Sequence, residues 1–526
     1  VSIVFGILSC ASKEPEQPPI ELRKVPIISS ADTTDERLEP LSCATVRATL
    51  PEHLSRMLDL RLSPAMREGW SDAEVVAFAR LLTDPEAGDR YGILTRVWDY
   101  YGPKRPSGGP RFSFESHGRA YSRIRVDLYF QDDCCRNRCG GEGCPAAWPD
   151  SCRDGGWVEC GGFGVFRGGN WMMVSGGNCP DPVPVSPEVA AGPVVAHEMA
   201  HLSHLARDPY ADVAFSELLA VGAEYVTGER WQKPSSNPRS TEYDMSLKSG
   251  SEDNVRCAGR EVLCKYQQFR LWNGYLFSHF SGDGVDSLDL VYRWIHRDRP
   301  SWRGLALTLL EEPFASRLPG KTAGEKLGNL YHRFAMARYM DTSGVYGFGP
   351  DVSPKPMHFF EWPDTLALPR RRVMPAVVRL GKDERHSYTS WRDPVQPWGG
   401  EEPCRVLTTG SDYWVLLAED GPERPLRIHV RGAVPANSSF RLGYATYAER
   451  DSVLCRKSPL SVVENVIEGA SVTADTLDTE FAVSDFGGDV RSVLVVLSMV
   501  ESEPSESFWG VSACDYEIAV STGPKR

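Results

Sequence analysis

The chain has 526 residues, room for two to four domains with sizeable cores, and its 41% apolar and 25% charged content is ordinary for a globular protein. A formal net charge of −13 argues against a nucleic-acid binder, which needs a basic face. No stretch reaches the roughly 18 apolar residues of a membrane-spanning helix.

In chain order, Val1 to Leu8 is small and apolar, and Ser9-Cys10-Ala11-Ser12 follows. Residues 1–10 read as the end of a truncated bacterial lipoprotein signal, with Cys10 as lipid acceptor. Residues 11–44, opening Ser12-Lys13-Glu14-Pro15-Glu16-Gln17-Pro18-Pro19, form a polar, Pro-rich tether. The expected address is extracytoplasmic: a lipoprotein of the outer membrane or cell surface, or a secreted protein. Contact with a membrane is expected only through the Cys10 anchor.

Ser71-Asp72-Ala73-Glu74 is a capping box ahead of Val75, Val76, Phe78, Ala79, Leu81 and Leu82, which predicts an amphipathic helix. Ile124 to Phe130 alternates apolar and polar residues, the pattern of a half-buried strand. A Cys-rich insertion follows over 134–179, with Cys134, Cys135, Cys139, Cys144, Cys152, Cys160 and Cys179 set among Gly, Pro, Asp and Arg. So little apolar content cannot build a core, so disulfides are expected to order it. The 14 Cys of the chain fit an oxidising compartment. Cys257 and Cys264 form a local pair, and Cys404, Cys455 and Cys514 form a separate set. With Cys10 lipidated, an odd number remains and one thiol is left over. Val165-Phe166 and Trp171-Met172-Met173-Val174 read as strands, the second a candidate edge strand for holding an extended substrate.

His197-Glu198-Met199-Ala200-His201 has the form H-E-x-x-H. On a helix, residues i and i+4 share a face, so His197 and His201 can bind one zinc ion. Glu198, beside them, can take a proton from a water that the metal acidifies. Ser186-Pro187-Glu188 supplies start signals for a helix of about 20 residues, running to near Arg207 before Asp208-Pro209 stops it. A second helix is predicted from near Asp212, through Phe215, Leu218, Leu219, Val221 and Tyr225, to Gly228. The short turn makes the two helices antiparallel. Glu217 and Glu224 share one face of the second, and either could be the third ligand.

His197 to His204, followed by Phe215-Ser216-Glu217-Leu218-Leu219-Ala220, resembles the secreted bacterial gluzincins of the immune-inhibitor-A-like kind. Phe334 to Asp341, then Val345-Tyr346-Gly347-Phe348, is similar to a late helix and aromatic-Gly turn of that catalytic domain. The resemblance covers roughly 186–350. It implies that Glu217 is the third ligand and that a third His commonly stands where His204 does. Leu218, Ala214 and Arg338 depart from the family's usual Gly, Trp and Asn, which bears on substrate preference rather than on the zinc triad. Helix geometry points the same way. His201 and Glu217 lie at similar distances from the turn, which leaves Glu224 to accept a hydrogen bond from a ligand histidine. His204 is the other supporting or alternative ligand, and Tyr225 and Tyr346 are candidate oxyanion donors.

Beyond Gly228 the pattern is helical, over Tyr266 to Phe280, Leu288 to Ile295, Leu305 to Leu310 and Leu327 to Met340. This is the expected helical lobe across from the sheet lobe, with Trp272, Tyr275, Tyr292 and Trp294 as core. Pro350, Pro354, Pro356, Pro363 and Pro369 then punctuate a linker over 351–374, with Arg370-Arg371-Arg372 as solvated surface. From about 375 the strands read as short and alternating, a β-sandwich pattern.

The expected fold class is therefore α+β: a zincin-type catalytic domain over 45–350 with a mixed sheet lobe and a helical lobe, then an all-β sandwich-like accessory domain over 375–526. The expected function is that of a monomeric zinc-dependent metalloendopeptidase acting on extracellular protein or peptide substrates, with no nucleic-acid partner. The competing reading is a surface-anchored binding protein on a catalytically decayed zincin scaffold, against which the intact Glu198 argues.

Overall fold

In the computed structural model, the alternation over 124–129 becomes the two faces of a buried sheet. The structure describes residues 46–84, 92–103, 112, 114–116, 119–129, 164–165, 170–175, 186–191, 193–207, 213–226, 269, 272–273, 275–276, 287–297, 301–340, 376–392, 401–407, 409–451, 459–464, 476–504 and 513–523. The expectations for Cys10, the tether, the Cys-rich insertion, Cys257, Cys264, the Asp208-Pro209 turn, the 345–348 turn, Arg370 to Arg372 and Cys455 fall outside these residues.

Strands β1 (Val46–Arg47), β2 (Leu58–Leu62), β3 (Ile124–Tyr129), β4 (Gly164–Val165) and β5 (Trp171–Ser175) form one mixed sheet in the order β1-β2-β3-β5-β4. β2, β3 and β5 are parallel, and β1 and β4 run antiparallel to their neighbours. Leu58, Leu60, Leu62, Ile124, Val126, Leu128, Met172 and Val174 alternate along these strands and are buried. The Trp171 strand is therefore not an edge. Gly164–Val165 pairs along it, at Val165↔Met172 and Gly164↔Met173, and stands outermost. Trp171 is itself buried, with the Arg125 guanidinium 5.2 Å from its ring centroid.

Helix α1 (Asp72–Thr83) starts as its capping box requires. Glu74 N–H donates to Ser71 Oγ, and Ser71 N–H donates to Glu74 Oε2 at 2.8 Å. It precedes α2 (Ile93–Tyr101). The stretch expected as one helix to Arg207 is two: a single turn, Pro187–Ala190, and α3 (Pro193–Arg207). Pro193 lacks an N–H and stands at the first position of the second, where no donor is needed. α4 (Val213–Val226) follows, and α3 packs against both α2 and α4 and on β4 and β5.

The remaining described elements form a second compact unit. Helices α5 (Ser287–Ile295), α6 (Trp302–Thr308) and α7 (Ala323–Met340) lie in it. So do strands β6 (Ala376–Leu380), β7 (Arg385–Tyr388), β8 (Arg405–Leu407), β9 (Gly410–Ala418), β10 (Arg424–Gly432), β11 (Ser438–Tyr447), β12 (Ser461–Val463), β13 (Leu477–Phe486), β14 (Ser492–Glu501) and β15 (Ala513–Thr522). One sheet runs β12-β11-β14-β9-β6. The other runs β8-β15-β10-β13, with β7 also paired to β15. Trp414, Leu416, Ile428, Val430, Leu442, Val495, Leu497 and Ile518 make the core of this region.

The helices expected to form a lobe of the catalytic domain share this unit's core. Ala335 and Met336 of α7 cluster with Tyr413, Val415, Leu417, Leu494 and Val496, on the opposite side of β9 and β14 from the sandwich interior. Tyr413 OH donates to Ala335 O at 3.0 Å, Tyr331 OH donates to Thr409 O, and His332 Nδ1 lies 2.7 Å from Ser498 Oγ. β9 and β14 are buried along nearly their whole length, so they are long continuous apolar runs rather than short alternating ones. Trp272, Tyr275 and Trp294 are buried core, and Trp272 packs against Trp302, Tyr331 and Phe334. Tyr292 is half-buried, stacked on His296. Cys404 and Cys514 are free, buried thiols, and burial pushes both up to about 12. Among the described residues, no helix is long and apolar enough to cross a membrane.

Candidate metal centre

Among the described residues, the site is built by α3 and α4. Ala196, Met199, Ala200 and Leu202 bury one side of α3, and Phe215, Leu218, Leu219, Val221 and Ala223 bury α4. The helices therefore pack with their few polar side chains turned to one another. His197 and His201, one helical turn apart, bring their rings together at a centroid distance of 4.9 Å and an interplanar angle of 76°. Glu217 reaches both. Its Oε2 lies 3.2 Å from His197 Nε2, and its Oε1 lies 3.5 Å from His201 Nε2.

Among the described residues, His197, His201 and Glu217 are the one group of three whose ligand-type atoms all lie within 4.8 Å of one another. Two ligands bonded at about 2.0–2.1 Å to a tetrahedral ion stand roughly 3.3 Å apart. The 3.2 and 3.5 Å separations, one to each Glu217 oxygen, are close to that size. Two imidazoles and a carboxylate are the donor set that suits zinc and its first-row neighbours. The residues present therefore fit a divalent transition metal, and three protein donors leave a tetrahedral position for substrate or water.

The nitrogens facing away from Glu217 are engaged as well. His197 Nδ1–H donates to Glu224 Oε1 at 3.0 Å, and His201 Nδ1 lies 2.8 Å from Ser216 Oγ. Such partners fix which ring nitrogen faces the metal. Burial works to lower the His197 pKa, but hydrogen bonds to Glu217 and Glu224, with the charges of Glu217 and Glu198, push it up to about 10. Burial works against the Glu217 carboxylate too. The charge on His201 and the hydrogen bond with His197 nevertheless hold it well below the usual range. The group thus stabilises a positive charge at its centre.

Glu198 is 4% exposed, and its Oε2 is buried with no hydrogen-bond partner among the described residues. His204 is 1% exposed and belongs to a different contact, with Nδ1 3.5 Å from Ser216 Oγ. The fold thus brings together His197, His201 and Glu217, sets Glu224 behind His197, and sets His204 behind Ser216. The side chains of Tyr225 and Tyr346 lie outside the described residues. Sequence reasoning missed Ser216 as a working group. Its signal was a hydroxyl directly before the candidate Glu, one helical position from the carboxylate that faces the histidines.

No protein-family profile matches this chain, and no curated protein does. Among solved structures it is similar to the pre-peptidase C-terminal domain of a collagenase from Bacillus anthracis, at 10% identity over 28% of this chain and 95% of that one, with a TM-score of 0.14.

Proposed function

We propose that the chain is a zinc-dependent metalloendopeptidase of gluzincin type, with His197, His201 and Glu217 holding the metal. The observation that carries the reading is the buried Glu198 carboxylate, with an oxygen unpartnered among the described residues, beside three donors whose ligand-type atoms lie within 4.8 Å of one another. A carboxylate is costly to bury without partners, and a metal-binding or packing role alone gives no reason to keep it there. When bound, zinc supplies a Lewis acid that polarises the scissile carbonyl and acidifies water. Glu198 takes the proton of the attacking water as general base and delivers it to the leaving amine as general acid. Glu224 holds His197 by its Nδ1–H and keeps Nε2 turned to the metal. Tyr225 and Tyr346 remain the candidates for hydrogen-bonding the developing oxyanion.

The substrates in this reading are extracellular proteins or peptides, reached from a lipid anchor at Cys10 or after secretion, by a protein that works as a monomer. The β-rich region serves as accessory. A binding protein on a decayed scaffold would have no use for Glu198.

Metal analysis of the purified chain, with a proteome-wide cleavage assay run beside Glu198→Gln, tests the proposal. One zinc per chain is expected in both proteins, with cleavage by the variant reduced about 10²- to 10⁴-fold or more. Wild-type protein that stays metal-free after zinc reconstitution, or a variant that cleaves undiminished, overturns it.

A further inference from the structure

We propose that Ser216 and His204 form a two-member relay that positions His201, an inference that rests on the metal reading above and adds a control element to the same site. Two imidazole nitrogens face one hydroxyl: His201 Nδ1 at 2.8 Å and His204 Nδ1 at 3.5 Å from Ser216 Oγ. All three side chains are buried, His201 at 0%, His204 at 1% and Ser216 at 3% exposure. A serine hydroxyl has one proton to give and lone pairs with which to accept. It can therefore serve both rings at once only if one ring nitrogen donates to it and the other accepts from it.

In the relay, the closer ring is the donor: His201 Nδ1–H donates to Ser216 Oγ, and the Ser216 hydroxyl proton points to His204 Nδ1. This leaves the His201 Nε2 lone pair facing Glu217 Oε1 at 3.5 Å. A lone pair set against a carboxylate is unfavourable by itself, and a cation between the two reverses the sign. The relay thus selects the tautomer of His201 that can bind metal. His204, which the motif's spacing leaves too far along α3 to share the ion with His197, acts through Ser216 instead. Ser216 and His204 are positioning residues, and neither is expected to touch substrate.

The test uses the full chain and zinc competed against a chromophoric chelator. Ser216→Ala should weaken zinc binding about 10- to 100-fold, the usual cost of losing a partner behind a metal ligand. Alanine favours a helix more than serine does, so a weakened helix would not account for that loss. Ser216→Thr should restore affinity by restoring the hydroxyl. His204→Phe, which keeps a ring and removes the acceptor, should fall between wild type and Ser216→Ala, and His204→Asn should recover part of the loss. Long-range ¹H–¹⁵N spectra of the zinc-loaded chain should place the His201 proton on Nδ1. Unchanged affinity in Ser216→Ala, or a His201 proton on Nε2 in zinc-loaded wild type, overturns the relay. Wild-type protein that binds no zinc fails the metal reading instead. The metal-free spectra then judge the relay alone, upheld if the His201 Nδ1 signal changes in Ser216→Ala and overturned if it does not.

Discussion

At the scale of single residues, the two glutamates of α4 separate by what they touch. Glu217 lies near Nε2 of both histidines, whereas Glu224 meets the Nδ1 of His197. Glu217→Ala is accordingly expected to abolish zinc binding, and Glu224→Ala to weaken it about 10- to 100-fold. Chelator competition reads both, and comparable losses from the two changes would contradict the division of roles. This much of the arrangement was legible in the sequence, because helical spacing is rigid: i, i+4 fixes the histidines and a two-turn interval fixes the glutamates. Ser216 was not legible. Whether a neighbouring hydroxyl faces a ring depends on how one helix is rotated against another, and periodicity does not give that angle.

At the scale of elements, α7 was legible as a helix, but the strands it packs on were not. The Phe334 to Met340 stretch gave a correct helix and suggested the catalytic domain. The sign of its packing lay in the strands, since Tyr413 to Leu417 and Val493 to Leu497 are continuous apolar runs. A strand buried on both faces needs a layer on each, and the second sheet supplies only one. α7 supplies the other. A fragment over residues 375–526 should therefore expose the apolar side of β9 and β14, and aggregate or unfold without cooperativity. A fragment over 231–526 should unfold in a single transition. Gly324→Ala tests the fit of the helix in the intact chain. An added Cβ would collide with the Ser502 backbone oxygen, and this crowding should lower stability by about 1–3 kcal/mol in urea unfolding. Cooperative folding of the shorter fragment would refute the assignment.

At the scale of the whole molecule, stability should depend on acid through a group far from the metal site in sequence. His332 is buried on α7 against Ser498 and Gly443, and a Cβ on Gly443 would come within 2.5 Å of its ring. Burial, then the charge of Arg441, lowers its pKa to about 3 from an ordinary 6.5. The unfolded chain therefore takes up the proton first. Stability from this residue is complete above about pH 6.5, falls by up to about 1.4 kcal/mol per pH unit below it, and levels off near pH 3. Urea midpoints of the 231–526 fragment across that range should follow this course, and His332→Gln should flatten it. A wild-type midpoint constant from pH 7 to pH 4 would contradict the burial of a neutral imidazole.

The confinement of the metal site to one helix pair has a consequence in time. Its link from His197 to Glu224 spans 27 residues, while Trp414 to Tyr516 in the sandwich spans 102 and His332 to Ser498 spans 166. Short chain closures cost little entropy and form fast, and long ones wait. The α3–α4 pair can thus assemble while the strands of the second unit are still unpaired or still being synthesised, since domains fold from the N-terminal side as the chain emerges. The newly made chain would carry a complete metal-binding pair before the helix-backed sandwich exists. Pulse-labelled hydrogen exchange during refolding should show amide protection in 193–226 ahead of that in 410–418 and 492–501, and the reverse order would rule this sequence of events out.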